Sequence, residues 1–372
     1  MPNPRGRPRK IRNFAEGNLA GEESMLKLKF GDIHNEERSA PDWGPVKTTA
    51  VFDTYWRFAA ERQRVFFARF RGETPPWTND RILLEHKFTN AYRASDRVSQ
   101  FLIRNVIYLD DLTSNEVFFR TILFKIFNKI ETWELLCSTF GIPTYSDFSV
   151  ERYSAVLNKA MAAGERIYSA AYIMPSGGKS AGPGRKHDMH LRLLKKMLAD
   201  ELPERLTDCR NMRAAFEMLR AYPTIGDFLA YQYVTDLNYG PLLNFSEMQF
   251  VCAGPGAKDG IKKCFSDTAG LSEPELIKLM AERQQAEFSR LGLHFQDLWG
   301  RPLQLIDCQN LFCEVDKYSR VAHPEIAGLT GRTRIKQKFH PMKEPLLLLY
   351  PPKWGINEKI EKEMVHVHDS RK

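Results

Sequence analysis

FLAYQYVTDLNYG, residues 228–240, followed by AGPGAKDGIKKCF, residues 253–265, is the stretch on which the fold turns. The first block is apolar at helical spacing. The second sets Gly254 and Gly256 on either side of Pro255 and opens a helix that runs through Gly260, Lys262 and Lys263. Glycine lets another chain approach the backbone, and the unpaired N–H groups of a helix N-terminus attract phosphate. Read this way, the segment is a hairpin feeding a phosphate-facing helix, with Lys258, Lys262 and Lys263 as cations beside it. An ordinary helix-capping loop satisfies the same spacing, and both readings stay open.

The form G-x-G-x-x-x-G-I after an apolar helix resembles the helix–hairpin–helix element with which DNA glycosylases grip a DNA backbone. Just upstream, Gln232, Asp236 and Tyr239 are polar groups on an otherwise apolar segment, suited to a pocket. Downstream, LQLIDCQNLFCEVDKYSRV, residues 303–321, reads as a helix. It sets Asp307, Asn310, Glu314 and Lys317 on one stripe and Gln309, Asp316 and Arg320 on its neighbour. Carboxylates two turns apart with an amide between them suit positioning and proton transfer. Glu314 with Lys317 and Asp316 with Arg320 also have ion-pair spacing.

Toward the N-terminus, YWRFAAERQRVFFARF, residues 55–70, is a helix interleaving arginines with aromatics, broken by TPPWTND, residues 74–80. KFTNAYRASDRVSQ, residues 87–100, then reads as a second helix with Asn90, Arg93, Arg97, Gln100 and Arg104 along one face and Phe88 and Tyr92 on the other. That face suits a bound phosphate or base, with Lys87 beside it; a solvated charged face is the alternative. EVFFRTILFKIFNKIETWELL, residues 116–136, is apolar nearly all round and reads as a buried central helix.

The chain has 372 residues and a formal charge of +8, a balance that favours a polyanionic partner. Its six cysteines are scattered, with no C-x-x-C pair, so neither a zinc site nor an iron–sulfur cluster is expected, and no metal or cofactor. No apolar run reaches membrane-spanning length and no signal-peptide core opens the chain, so the expectation is a soluble intracellular protein. A phage or bacterial protein would be cytoplasmic, and a eukaryotic one with this arm nuclear. There is no P-loop and no dinucleotide fingerprint.

Much of the positive charge lies in a short arm. PRGRPRK, residues 4–10, resembles an AT-hook: Pro8 stiffens it, Gly6 permits close approach, and Arg5, Arg7 and Arg9 suit a narrow minor groove. A disordered basic tail or a localisation signal is the alternative. Residues 1–45 therefore form a basic arm and linker, 46–350 a helical domain, and 351–372 a charged tail. The Gly-rich loop 175–187 divides the domain into possible lobes, 46–174 and 188–350.

Taken in order, WRFAAERQRVFF, PPWTND, KFTNAYRASDRVSQFLI, FLAYQYVTDLNY, AGPGAKDGIKKCF and LQLIDCQNLFCEVDKYSR resemble the alpha-glutamyl/putrescinyl thymine pyrophosphorylase-like family, the helical module found with 5-hydroxymethyluracil DNA kinases. The resemblance covers roughly residues 45–350. It implies a mostly α-helical fold of the DNA-glycosylase type and a role in phage thymine hypermodification. After a kinase has phosphorylated 5-hydroxymethyluracil in DNA, the amine of an amino acid or polyamine displaces the phosphate or pyrophosphate. Within that chemistry Arg93 and Arg97 suit the leaving group, Asp307 or Asp316 the entering amine, and Asn90, Gln100, Gln309 and Asn310 the uracil edge. The partners implied are DNA carrying phosphorylated 5-hydroxymethyluracil, a small amine, and coupling to a DNA kinase. A glycosylase on the same scaffold and a non-catalytic DNA-binding protein are the alternatives.

Overall fold

Why the chain is mostly helical is visible at its helix ends. Thr49 accepts the Val51 N–H to start α1 (Ala50–Phe70), and Asp80 accepts two amides to start α2 (Arg81–Glu85). Asn211 caps α9 (Met212–Arg220), and Ser272 with Glu275 closes a capping box on α12 (Glu273–Arg290). A computed structural model describes residues 46–109, 112–171, 174–175, 184–341 and 346–369. The described part of the chain is mostly helical, with fourteen α-helices. The rest of the series is α3 (Arg97–Leu102), α4 (Ser114–Phe127), α5 (Ile130–Phe140), α6 (Val150–Ala162), α7 (Lys186–Ala199), α8 (Leu202–Thr207), α10 (Asp227–Tyr239), α11 (Pro255–Cys264), α13 (Leu305–Ala322) and α14 (Asn357–Asp369). The only sheet among the described residues pairs β1 (Lys47–Thr48) antiparallel with β2 (Phe265–Asp267).

The expected helix at 55–70 falls within α1 and that at 303–321 corresponds to α13. The single buried helix expected at 116–136 is instead two, α4 and α5, because Asn128 adopts a left-handed conformation (φ 48°) that ends α4. The buried faces of α1 and α13 meet through Tyr55 and Phe312, and α4 is buried almost all round. Helices from either end of the chain interleave: α1 packs on α11, α12 and α13, while α4 packs on α7, α8 and α10. The possible lobes 46–174 and 188–350 are thus not separate bodies, and residues 44–372 form one compact unit. The basic arm with Arg5, Arg7 and Arg9, and most of loop 175–187, lie outside the described residues.

The glycines of the opening stretch serve helix packing. A Cβ on Gly260 would stand 2.1 Å from the Phe312 carbonyl oxygen, and one on Gly256 3.1 Å from Cys313 Sγ. The G-x-x-x-G spacing on α11 therefore lets α13 lie against its backbone. Gly254 is required by the Phe228 ring, 2.7 Å from where its Cβ would be. Residues 240–254 form a long connection between α10 and α11 in place of a tight hairpin.

Candidate functional site

Residues 86–96 are the hub of the site, and they are not helical as the spacing predicted. Residues 87–90 have no regular secondary structure, Arg93–Ser95 form one 3-10 turn, and α3 begins only at Arg97. Local side-chain bonding competes with the helix. Asp96 Oδ1 accepts the Asn90 amide at 2.8 Å, and Asn90 Nδ2 donates to the Ser95 carbonyl at 2.7 Å. The expected stripe is thereby broken: Arg93 turns inward, while Arg97, Arg104 and Lys87 are exposed.

Arg93 is 2 % exposed and fully engaged. Its Nε donates to Gln232 Oε1 at 3.0 Å, and one terminal nitrogen donates to Asp236 Oδ1 at 2.8 Å and to Tyr239 OH at 3.1 Å. Lys125 Nζ reaches the other Asp236 oxygen at 3.1 Å. Burial by itself raises the Asp236 pKa, but Arg93 and Lys125 outweigh it and hold the carboxyl below its ordinary value. Burial brings Lys125 down to about 8. The polar residues of α10, expected to line a pocket, are instead gathered inside the core around Arg93.

Asp307 sits in the first turn of α13. One oxygen accepts the Gln304 amide at 3.0 Å and the other the Arg93 amide at 2.8 Å. Burial pushes its carboxyl up to about 7 against those two bonds. The rest of the α13 stripe faces residues 88–90. Glu314 accepts the Thr89 amide at 2.9 Å and Lys317 Nζ at 2.7 Å, and Asn310 donates to Thr89 Oγ1 at 3.0 Å.

Several expected roles are corrected by position. Asp316 is buried in ion pairs with Lys263, at 3.0 Å, and Arg320, facing α11 and away from residues 86–96. Lys263, expected at the DNA surface, is 2 % exposed and bonds into α13, whereas Lys258 and Lys262 are exposed. Gln100 is spent on two backbone groups, the Ala94 carbonyl and the Leu349 amide. Tyr92 OH donates to the Arg301 carbonyl at 2.7 Å, and Gln309 donates to Cys313 Sγ at 3.1 Å.

What the spacing did not reveal is a cavity of about 250 Å³ at the front of this network. Pro75, Pro76, Trp77, Leu83, Phe88 and Phe339 form its apolar walls; Arg62, Thr78 and His86 are its polar lining. Arg62 ties it to the network, donating from Nε to the Thr89 carbonyl and from one terminal nitrogen to Asn90 Oδ1, both at 2.9 Å. Burial lowers Arg62 to about 10 and raises its neighbour Asp96 to about 7. His86 Nδ1 is buried with no hydrogen-bond partner among the described residues. Lys317 Nζ stands 4.5 Å from the Phe88 ring centre, on the cavity's flank. The sequence signal was the Pro-Pro-Trp break itself, which punctuates helices and here builds a wall.

Three comparisons bear on this arrangement. Residues 49–328 match the family model described as 5-hmdU DNA kinase, helical domain. The 5-hmdU DNA kinase of Bacillus phage SP10 is 27% identical over 293 residues, covering 74% of this chain and 46% of that protein. The chain therefore spans about half the length of that relative. No solved structure matches it.

Proposed function

Because the chain belongs to the family of the 5-hmdU DNA kinase helical domain, we propose that it is an enzyme of phage thymine hypermodification. It acts on phosphorylated 5-hydroxymethyluracil in DNA and replaces the phosphate with the amine of an amino acid or polyamine. The amine nitrogen bonds to the methylene carbon, the carbon–oxygen bond to the phosphate breaks with its electron pair, and the nitrogen gives up a proton. The observation that carries this reading is the aromatic cavity bearing Arg62 and His86, backed by the network of Asn90, Asp96, Arg93 and Asp307.

A base modified within DNA must leave the stack. A cavity near 250 Å³ lies just below the ~300–1,000 Å³ of sites for drug-sized ligands, which suits one ring with a short substituent. Trp77 and Phe88 flank the ring, the Arg62 guanidinium receives the departing phosphate, and His86 takes the amine's proton. Arg93, Asp236 and Asp307 are positioning residues: they fix the backbone that aims Asn90 and hence Arg62. In this reading the phosphate is supplied by a kinase acting beforehand. The DNA is gripped by the cations of α11, Lys258 and Lys262, and by the N-terminal arm.

The test is nucleoside mass spectrometry of a duplex carrying phosphorylated 5-hydroxymethyluracil, incubated with the protein and a mixture of amino acids and polyamines. A mass gain equal to one amine with loss of phosphate is the expected product. Abasic sites would assign the chain to base excision instead, and unchanged DNA would leave it a binding protein. Arg62→Ala is expected to lower the rate of transfer by about 10²–10³, the scale of losing one preorganised donor.

A further inference from the structure

Residues 331–341, GRTRIKQKFHP, lie just beyond the part of the chain that matches the family. They carry Arg332, Arg334, Lys336 and Lys338 at alternate positions and no acid. The segment is pinned at three places. At its start Asp259 of α11 accepts both the amide and the hydroxyl of Thr330, at 2.9 and 2.5 Å. Midway Arg320 of α13 donates to the Arg334 carbonyl at 3.1 Å, and Ile335 packs on the core. At its end the Lys87 amide donates to the Gln337 carbonyl and the Phe339 amide to the Glu85 carbonyl, both at 3.0 Å. Phe339 packs with Val65, Ala68 and Trp77 and closes one side of the cavity.

The four cations are all exposed. Lys338 is 3.7 Å from the equally exposed Glu85, an ion pair worth little in water. Arg332, Arg334 and Lys336 have no side-chain hydrogen bond or ion pair among the described residues, although the field of Arg332 reaches Asp259. Between residues 331 and 337 there is no helix or turn. Lys338 pairs antiparallel with His86 as an isolated bridge, and in such extended backbone alternate side chains share a face about 6.6 Å apart, a repeat comparable to that of successive phosphates on one strand. Exposed charge at alternate positions, in a line from α11 to a cavity mouth, is the layout of an electrostatic track.

We propose that residues 331–338 are a track for the phosphate backbone of the DNA strand whose base occupies the cavity. The proposal rests on the cavity being a base site, and it adds the path by which the strand arrives. Arg332, Arg334, Lys336 and Lys338 each neutralise a phosphate, and the strand runs along them toward Phe339. Sequence plays no part in such contacts, so the track holds any strand and leaves selection to the cavity.

The test measures binding of the full chain to a single-stranded oligonucleotide containing 5-hydroxymethyluracil, by fluorescence anisotropy across a salt series. The variant R332Q/R334Q/K336Q/K338Q keeps the N-terminal arm, so the difference from the parent isolates the track. The slope of log K against log salt should fall in magnitude by about 2.8, at about 0.7 for each phosphate of a single strand that is no longer neutralised. Thermal melting should be unchanged, and the swap R332K/R334K should preserve the slope, since charge is what it counts. An unchanged slope and affinity in the fourfold variant would overturn the track. Hydrogen exchange of the unaltered protein gives a reading independent of any variant: the amides of 332–338 should gain protection when the oligonucleotide binds, and no gain would equally overturn it. A reduced slope with no amine transfer would refute the reaction and keep the track; transfer with full slope in the variant would do the reverse.

Discussion

Asp236 shows how a residue singled out for a pocket can stand in a different place from the one its pattern implies. It lies between Arg93 and Lys125 with no exposure, and removing its charge takes the counter-charge from two buried cations. Asp236→Asn is therefore expected to destabilise the protein by about 3–5 kcal/mol, read by urea unfolding, the range for breaking a buried pair. Asp96 and Asp307 add a pH dependence of known sign. Each is raised by burial to about 7 from an ordinary value near 4. The folded state then holds more protons than the unfolded one between those values, so these two groups make stability fall as pH rises through that window. Against the parent, Asp307→Asn should gain melting temperature between pH 5 and pH 8, and a constant difference would contradict the shift. The sequence marked Gln232 and Asp236 as polar groups on an apolar segment, and Asn90, Arg93, Asp307, Asn310 and Glu314 as members of polar helix stripes. Periodicity cannot say that such a group is completely enclosed, because enclosure is set by neighbours distant in the chain. His86 and Arg62 were missed for the complementary reason: neither stands out until Phe339 comes from far downstream to make a cavity beside them.

Among the elements, α11 was legible as a helix and its glycines as sites of close approach. What approaches is α13. The Gly260 contact with the Phe312 carbonyl is backbone on backbone, so no side chain can swing aside. Gly260→Ala should force the two helices apart and cost more than about 1–3 kcal/mol, the usual range for overpacking, as measured by denaturant midpoint. Gly256→Ala meets the Cys313 side chain at 3.1 Å and should cost less. The reverse order would mean that the helices do not cross at Gly260. Residues 86–96 were the least legible, because Asn90, Ser95 and Asp96 hold the backbone in a non-helical form by local bonds. Asn90 was read as part of a helix face, whereas its bonds to Ser95 and Asp96 are what prevent the helix.

For the whole molecule, the interleaving of early and late helices decides how the chain must fold. Neither 46–174 nor 188–350 encloses its own core, since α1 is covered by α11–α13 and α4 by α7, α8 and α10. Each piece expressed alone is expected to show no cooperative melt, and co-expression should restore one; an independent transition in either piece would contradict this. The loop at 175–187 suggested a division because glycine-rich sequence looks like a linker, while the partners of a helix across such a loop leave no local mark. The overall class, mostly helical, was legible because helical spacing and capping residues are local. Phe339 finally gives the molecule a property of coupling. Phe339 is both a wall of the cavity and the end of the cationic segment, and that end is held by two backbone hydrogen bonds. If a strand lying on the segment favours the closed wall, then by linkage a ring held in the cavity must tighten the strand by the same factor. The two grips would then act as one cooperative clamp, releasing product and strand together.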